Sequence, residues 1–80
     1  MPRYRMDFIL NIHKDAPPAL EVIRNSIIEF GDEVEVLLLA ENNDPKSEDL
    51  RVRINTQDPI LVFDSCLQFG RLRSVKVTEG

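Results

Sequence analysis

The chain has 80 residues, of which 10 are basic and 14 acidic, and its formal net charge is −4. A chain of this length forms one domain with a modest core. A domain of about 60 residues, for comparison, buries only about 60% of the surface that its unfolded form exposes. The acidic balance argues against nucleic acid as the main partner, since phosphate contacts supply much of such affinity. We therefore expect a single domain over residues 1–80, without a deep catalytic pocket.

The chain contains one cysteine, Cys66, so it cannot form an internal disulfide or a paired-thiol metal site. A lone thiol is typical of a reducing compartment, which predicts a cytoplasmic protein. No apolar run approaches the ~20 residues that a membrane span requires, and residues 1–5 do not open a secretory signal. We therefore expect no association with a membrane.

The first half of the chain predicts a strand, a helix and a second strand. Residues 4–13 alternate between apolar and polar side chains, which is the period of a strand with one buried face. Residues 19–30 repeat apolar side chains at helical spacing, with Asp15 as the expected N-cap and Gly31 as the expected left-handed C-terminal residue. Residues 34–40 alternate again and predict the second strand.

The second half predicts a strand, a helix and a last strand. Residues 50–55 alternate and should pair with the second strand as an antiparallel hairpin. Asp58 and Pro59 are typical of a helix start, and residues 60–69 have helical spacing, although residues 60–63 also suit a buried strand. Residues 72–78 predict a strand with Val75 and Val77 inside, and the out-of-phase Leu72 indicates a β-bulge or a late start.

This order of elements predicts an α+β fold of the split βαβ type. We expect the ferredoxin-like order βαββαβ, with two helices on one face of an antiparallel sheet. The other face would be open, and its predicted residues include three aliphatic side chains, Ile9, Leu37 and Leu39. They predict a contact surface for a second copy or another protein. The alternatives are a local slip of the alternation, or a tail that covers them.

The segment between the second and third strands is rich in carboxylates and amides, which are the oxygen ligands that Ca²⁺ prefers. It lacks the glycine and the ligand spacing of an EF-hand loop, so we predict a weak calcium site. An ordinary solvated hairpin loop is the alternative. The expected metal ligands are Glu41, Asn43, Asp44, Glu48 and Asp49.

A second acidic group, formed by Asp32, Glu33 and Asp58, is predicted at the opposite pole of the fold. Asp32 and Glu33 follow a helix C-terminus, where the helix dipole disfavours negative charge unless a cation offsets it. Arg3 and Arg5, at the start of the first strand, are the expected partners. This pole is the alternative position for an acidic cation site.

The nucleophilic and titratable residues do not form a catalytic pattern. His13 is the only histidine, and Cys66 falls on the predicted inner face of a helix, where a free thiol acts as a small apolar side chain. The three glycines form no phosphate-binding loop. The outward positions of the first and third strands carry no aromatic side chain on which a base could stack. We therefore expect neither an enzyme nor a nucleic-acid-binding protein.

In its size and its pattern of elements, the whole chain resembles the short α+β proteins of unassigned function that are common in archaea. The resemblance rests on no specific motif and implies only a small cytoplasmic domain. The residues themselves predict a non-catalytic domain with a weak calcium site at residues 41–49. The alternative is an interaction module that self-associates through the open sheet face.

Overall fold

A computed structural model describes residues 3–13, 20–39 and 44–79. The four strands form one antiparallel sheet in the order β2-β3-β1-β4. No helix within these ranges has the length and apolar character that crossing a membrane requires. In chain order, the elements are β1 (Tyr4–His13), α1 (Leu20–Ile27), a 3-10 helix (Ile28–Phe30), β2 (Gly31–Leu39), β3 (Ser47–Thr56), α2 (Pro59–Leu67) and β4 (Gly70–Glu79).

The first strand, β1, occupies the middle of the sheet, with β3 on one side and β4 on the other. Its bounds are those predicted, because a strict alternation of side chains has only one way to bury its apolar half. Met6, Phe8, Leu10 and Ile12 are all buried, whereas the residues between them lie on the opposite face. This central strand therefore positions both the core and the open face.

The core lies between one face of the sheet and the two helices. The rings of Phe8 on β1 and Phe63 on α2 pack with their centroids 5.7 Å apart and their planes tilted by 54°. A tilted arrangement of this kind favours aromatic pairs beyond their buried area. The buried core residues are Met6, Phe8, Leu10, Ile12, Ile23, Ile27, Leu50, Val52, Ile54, Val62 and Cys66.

The helices differ from prediction at their ends. The predicted N-cap Asp15 lies outside the described residues. Gly31 has an extended backbone with φ −176° and opens β2, so the predicted left-handed conformation was wrong. A side chain at Gly31 would collide with the backbone oxygen of Asn55, which explains why a glycine suits this close approach. The sequence left residues 60–63 open between a helix and a buried strand. Residues 59–67 form helix α2, in which Val62 and Cys66 lie one turn apart and are both buried.

The last strand, β4, carries the irregularity that Leu72 indicated. Its register against β1 shifts between Asp7 and Ile9, and Ser74 adopts a left-handed φ of 52° at that point. The extra residue of this β-bulge puts both Leu72 and Val77 on the core side, which confirms the predicted bulge. Val75 was predicted to point inward, but it lines a depression on the open side of the sheet.

The ferredoxin-like prediction requires a correction. The sequence predicted the plain order βαββαβ with two helices on one face. The chain instead inserts a 3-10 helix (Ile28–Phe30) between α1 and β2, and its strands have the sheet order β2-β3-β1-β4. Alternation along a sequence identifies strands and their faces, but the lateral order depends on which edges pair. We therefore describe the fold by its observed order and do not retain the ferredoxin-like assignment.

Candidate functional site

The candidate site is the open face, by which we mean the side of the sheet opposite the buried core residues. Strand pairing arranges its side chains in rows that run across all four strands. The residues of the open face are, strand by strand from β2 to β4, Asp32, Glu33, Glu35, Leu37 and Leu39; Asn55, Arg53, Arg51 and Asp49; Arg5, Asp7, Ile9 and Asn11; and Thr78, Lys76, Arg73 and Arg71.

The centre of the open face is partly aliphatic, as the alternation predicted. Leu37, Arg51 and Ile9 form one row across β2, β3 and β1, and Leu37 is 49% exposed. Ile9 and Leu39 also line a shallow depression of about 530 Å³, which Val75 borders on β4. Removing exposed aliphatic surface from water is favourable, so this part of the open face is a candidate contact for a partner.

Asp7 organises the charges around this centre. Arg51 donates to both of its oxygens, with Nε at 3.2 Å and Nη2 at 2.9 Å, and Arg53 Nε donates at 3.2 Å. The hydrogen bond from Arg51 lowers the pKa of Asp7, partial burial opposes that shift, and Arg53 adds to it. The same bond raises the pKa of Arg51. The carboxylate is therefore ionised at neutral pH and holds two arginines in the open face.

Asp49 forms a second network at the end of the open face. Its carboxylate is buried, with 5% of the side chain exposed, and it accepts hydrogen bonds from Arg73 and from Asn11 Nδ2, the latter at 2.8 Å. Asn11 Nδ2 also lies 3.1 Å from Ser47 Oγ, which donates to Asp44 Oδ2 at 3.1 Å. Asp49 is thus satisfied by donors from β1 and β4.

The predicted calcium site is not assembled by the described residues. Glu41 and Asn43 lie outside the described residues. Asp49 lies on the open face and binds Arg73, whereas Glu48, the preceding residue of the same strand, points to the other face. Within residues 3–13, 20–39 and 44–79, no three His, Cys, Asp or Glu side chains converge on a position for a metal ion. The description of this chain as a calcium-binding, metal-binding protein is therefore wrong on the part described.

The other acidic group is occupied by partners within the chain. Arg3 forms an ion pair with Asp32, as predicted, and Asn55 Nδ2 donates to Glu33. The second predicted cation, Arg5, donates to Asn55 Oδ1 at 3.4 Å rather than to a carboxylate. Asp58 precedes α2 and is not brought to Asp32 as a cation ligand in the part of the chain that is described. This pole therefore forms an ion pair and an amide bridge.

The outer strands of the open face carry opposite charges. The outward side chains of β2 include Asp32, Glu33 and Glu35, whereas those of β4 are basic apart from Val75 and Thr78. The predicted inward position of Val77 already puts Lys76 outward, whereas Arg71 and Arg73 reach the same face because of the bulge at Ser74. The out-of-phase Leu72 was the sequence signal for these two arginines, because an inward Leu72 puts both of its neighbours outward. The basic residues of β4 are Arg71, Arg73 and Lys76.

The two side chains considered for catalysis lie apart from this face or at its margin. Burial raises the pKa of the Cys66 thiol to about 11, so the thiol is protonated at neutral pH and packs in the core. His13 is exposed at the end of β1, opposite Ser47. The chemistry of the open face is therefore that of ion pairs and aliphatic contacts.

The comparisons with known proteins leave this geometry as the basis for a functional argument. No protein-family model matches the chain, and no curated protein matches it significantly.

Proposed function

We propose that this protein is a small non-catalytic interaction module that binds a second copy of itself through the open face. The observation that carries the proposal is the pair of aliphatic side chains, Leu37 and Ile9, that flank Arg51 in one row, with Leu39 in the next row, at positions where a solvated sheet would carry polar side chains. The cytoplasmic location predicted from the lone Cys66 belongs to the same proposal.

The charges around this row favour a protein partner over bulk solvent. Asp7 fixes Arg51 and Arg53 through hydrogen bonds of 2.9 to 3.2 Å, so these long side chains have lost part of their rotamer freedom before any partner arrives. Ordering a side chain at an interface costs about 0.5–1.5 kcal/mol, and a preorganised surface avoids part of that cost. The open face is therefore arranged to bind with little further ordering.

A second copy is the partner that the charge pattern favours. One outer strand of the face is acidic through Glu33 and Glu35, and the other is basic through Arg71 and Lys76. A surface that carries both signs on opposite sides can match itself after a two-fold rotation, as an isologous interface requires. A strongly acidic or basic partner would be attracted by only one side of the face.

The size of the face is compatible with a dimer. Four strands spaced about 4.8 Å apart, with about nine residues each at about 3.3 Å, cover about 600 Å². Two such faces would bury about 1,200 Å² in total, the lower end of the roughly 1,200–2,000 Å² of specific interfaces. The expected complex is therefore a reversible dimer and not an obligate one.

Sedimentation equilibrium of the wild type and of Leu37→Asp tests the proposal. The wild type should shift from monomer to dimer between about 1 µM and 1 mM, the range of a weak to moderate interface. Leu37→Asp should remain a monomer, since the substitution removes the aliphatic contact and burying the new carboxylate costs its hydration. Circular dichroism checks that the variant is folded, and Leu37→Ser is a milder second variant.

Leu67→Asp is the matched control, because Leu67 on α2 is 55% exposed and lies on the helical side of the fold. This substitution should leave the dimer intact. If Leu67→Asp abolishes self-association and Leu37→Asp does not, the interface lies on the helices and the proposal is wrong. A wild type that stays monomeric at about 1 mM would also contradict it.

A further inference from the structure

We infer that the two copies pack about a two-fold axis that runs parallel to the strands, so that β2 of each copy faces β4 of the other. This inference rests on the proposed function and goes beyond it, because it specifies which residues of the two copies meet. It follows from the sheet register and from the charges at the two outer strands.

Sheet geometry leaves two choices for a face-to-face dimer. Two sheets that pack in the aligned manner keep their strand directions within about 30° of each other, whereas orthogonal packing is made by strands that pass from one sheet to the other at corners. A two-fold axis in the plane between the sheets achieves this alignment only when it runs nearly parallel or nearly perpendicular to the strands. A parallel axis exchanges the left and right sides of the sheet, so that β2 faces β4. A perpendicular axis keeps the sides and reverses the strands, so that β2 faces β2 and β4 faces β4.

The charges of the outer strands distinguish these choices. With a perpendicular axis through the row of Leu37 and Arg73, Glu35 would face the partner's Leu39 and would have no cation opposite it. The cations of β4, including Arg71 and Lys76, would face the other β4. Like charges brought together at an interface are strongly unfavourable. With a parallel axis, each acidic strand faces a basic strand, and every such contact occurs twice.

The register also predicts which side chains meet. Rotation about a parallel axis preserves the rows, and Glu35, Arg53, Asp7 and Lys76 share one row. Glu35 would therefore face the partner's Lys76, and Arg53 would approach the partner's Asp7. Leu37 would lie over the aliphatic stem of the partner's Arg73, whose head group is held by Asp49.

A charge exchange between Glu35 and Lys76 tests the arrangement in sedimentation equilibrium. Glu35→Lys and Lys76→Glu should each raise the dimer dissociation constant about tenfold, because each places like charges together at two symmetric positions. The double variant with both substitutions should return to within about threefold of the wild type, since the ion pair is rebuilt with reversed polarity. Glu21→Lys, an exposed charge reversal on α1, is the control and should have no effect.

The outcomes separate this inference from the proposed function. Recovery in the double variant supports the parallel axis. If Lys76→Glu alone strengthens the dimer, the perpendicular axis is correct, because that axis brings Lys76 near the partner's Arg71. If Leu37→Asp abolishes the dimer and the double variant does not recover, the interface stands and the parallel arrangement is overturned. If Leu37→Asp has no effect on the dimer, both are overturned.

Discussion

Both oxygens of the Asp7 carboxylate accept hydrogen bonds from Arg51, from Nε at 3.2 Å and from Nη2 at 2.9 Å. The contact is diagonal, because Asp7 pairs across the sheet with Arg53, whereas Arg51 pairs with Ile9. An arginine bound through two nitrogens is fixed in position as well as neutralised. This pair therefore fixes the charge of Arg51 between Ile9 and Leu37, which supply the apolar part of the same row.

Asp7→Asn should lower the free energy of unfolding by about 0.5–1 kcal/mol at neutral pH, a modest value because both partners are partly solvated. Arg51 lowers the pKa of Asp7 below its ordinary value of 3.8. The contribution is thus complete above that value and is lost as the pH falls through the lower pKa of the folded state. Urea unfolding should therefore distinguish the variant from the wild type at about pH 7 and hardly at about pH 2.

Asp64→Asn on α2 provides the comparison for this measurement, because Asp64 is an exposed carboxylate away from the open face. It should alter stability by less than about 0.5 kcal/mol at either pH. An equal loss for Asp7→Asn at both pH values would show that the side chain acts through packing and not through its charge.

Asp49→Asn should cost about 1–3 kcal/mol, because the new amide places a donor against Arg73 and Asn11 in a buried site. The neighbouring Glu48→Gln, on the other face of β3, should cost less than about 0.5 kcal/mol. Urea unfolding of the two variants measures the difference. Equal costs would contradict the network assigned to Asp49.

The start of β4 should not accept a side chain. In Gly70→Ala, the added methyl group would collide with the backbone oxygen of Asn11, so we expect a loss of about 1–3 kcal/mol in thermal or urea unfolding. Unchanged stability in Gly70→Ala would contradict the close approach of β4 to β1.

Ser74→Gly should stabilise the fold by up to about 1 kcal/mol in the same unfolding measurement, since Ser74 holds a left-handed φ of 52°.

The buried thiol of Cys66 should react with a disulfide reagent only after unfolding. Burial raises its pKa from 9.0 to about 11, so little thiolate is present in the folded protein at about pH 8. A raised pKa also means that stability is complete below the unfolded value and falls as the pH rises through 9 towards 11. Cys66→Ala should show a weaker decline over that interval. Rapid labelling of the folded wild type would contradict this assignment.

Local alternation predicted much of the fold. Residues 4–13 alternate without a break, and the structure has the same strand with the same buried half. The outward positions of Ile9, Leu37 and Leu39 followed from the same period and agree with the register. Local patterns could not determine long-range pairing, so the contact of Arg73 with Asp49 was missed. The bulge at Ser74 was indicated by Leu72, but the outward position that it gives to Arg71 and Arg73 was not.

Within the described residues the predicted calcium ligands do not converge, for a physical reason that two residues show. A count of carboxylates treats Glu48 and Asp49 as neighbours, but consecutive side chains of a strand point to opposite faces. Asp49 is then bound by Arg73, a partner that is 24 residues away in the sequence. Oxygen-rich composition therefore indicated a polar segment and not a convergent set of ligands.

The most direct test of the central claim is a dilution series followed by backbone amide NMR. If the open face is the interface, shifts that depend on concentration should concentrate on the outward residues around Ile9, Leu37 and Arg51, and those of Leu61 and Leu67 on α2 should stay constant. The Leu37→Asp variant should show no such dependence. Shifts confined to α2, or spectra that do not change with concentration, would contradict self-association through the open face.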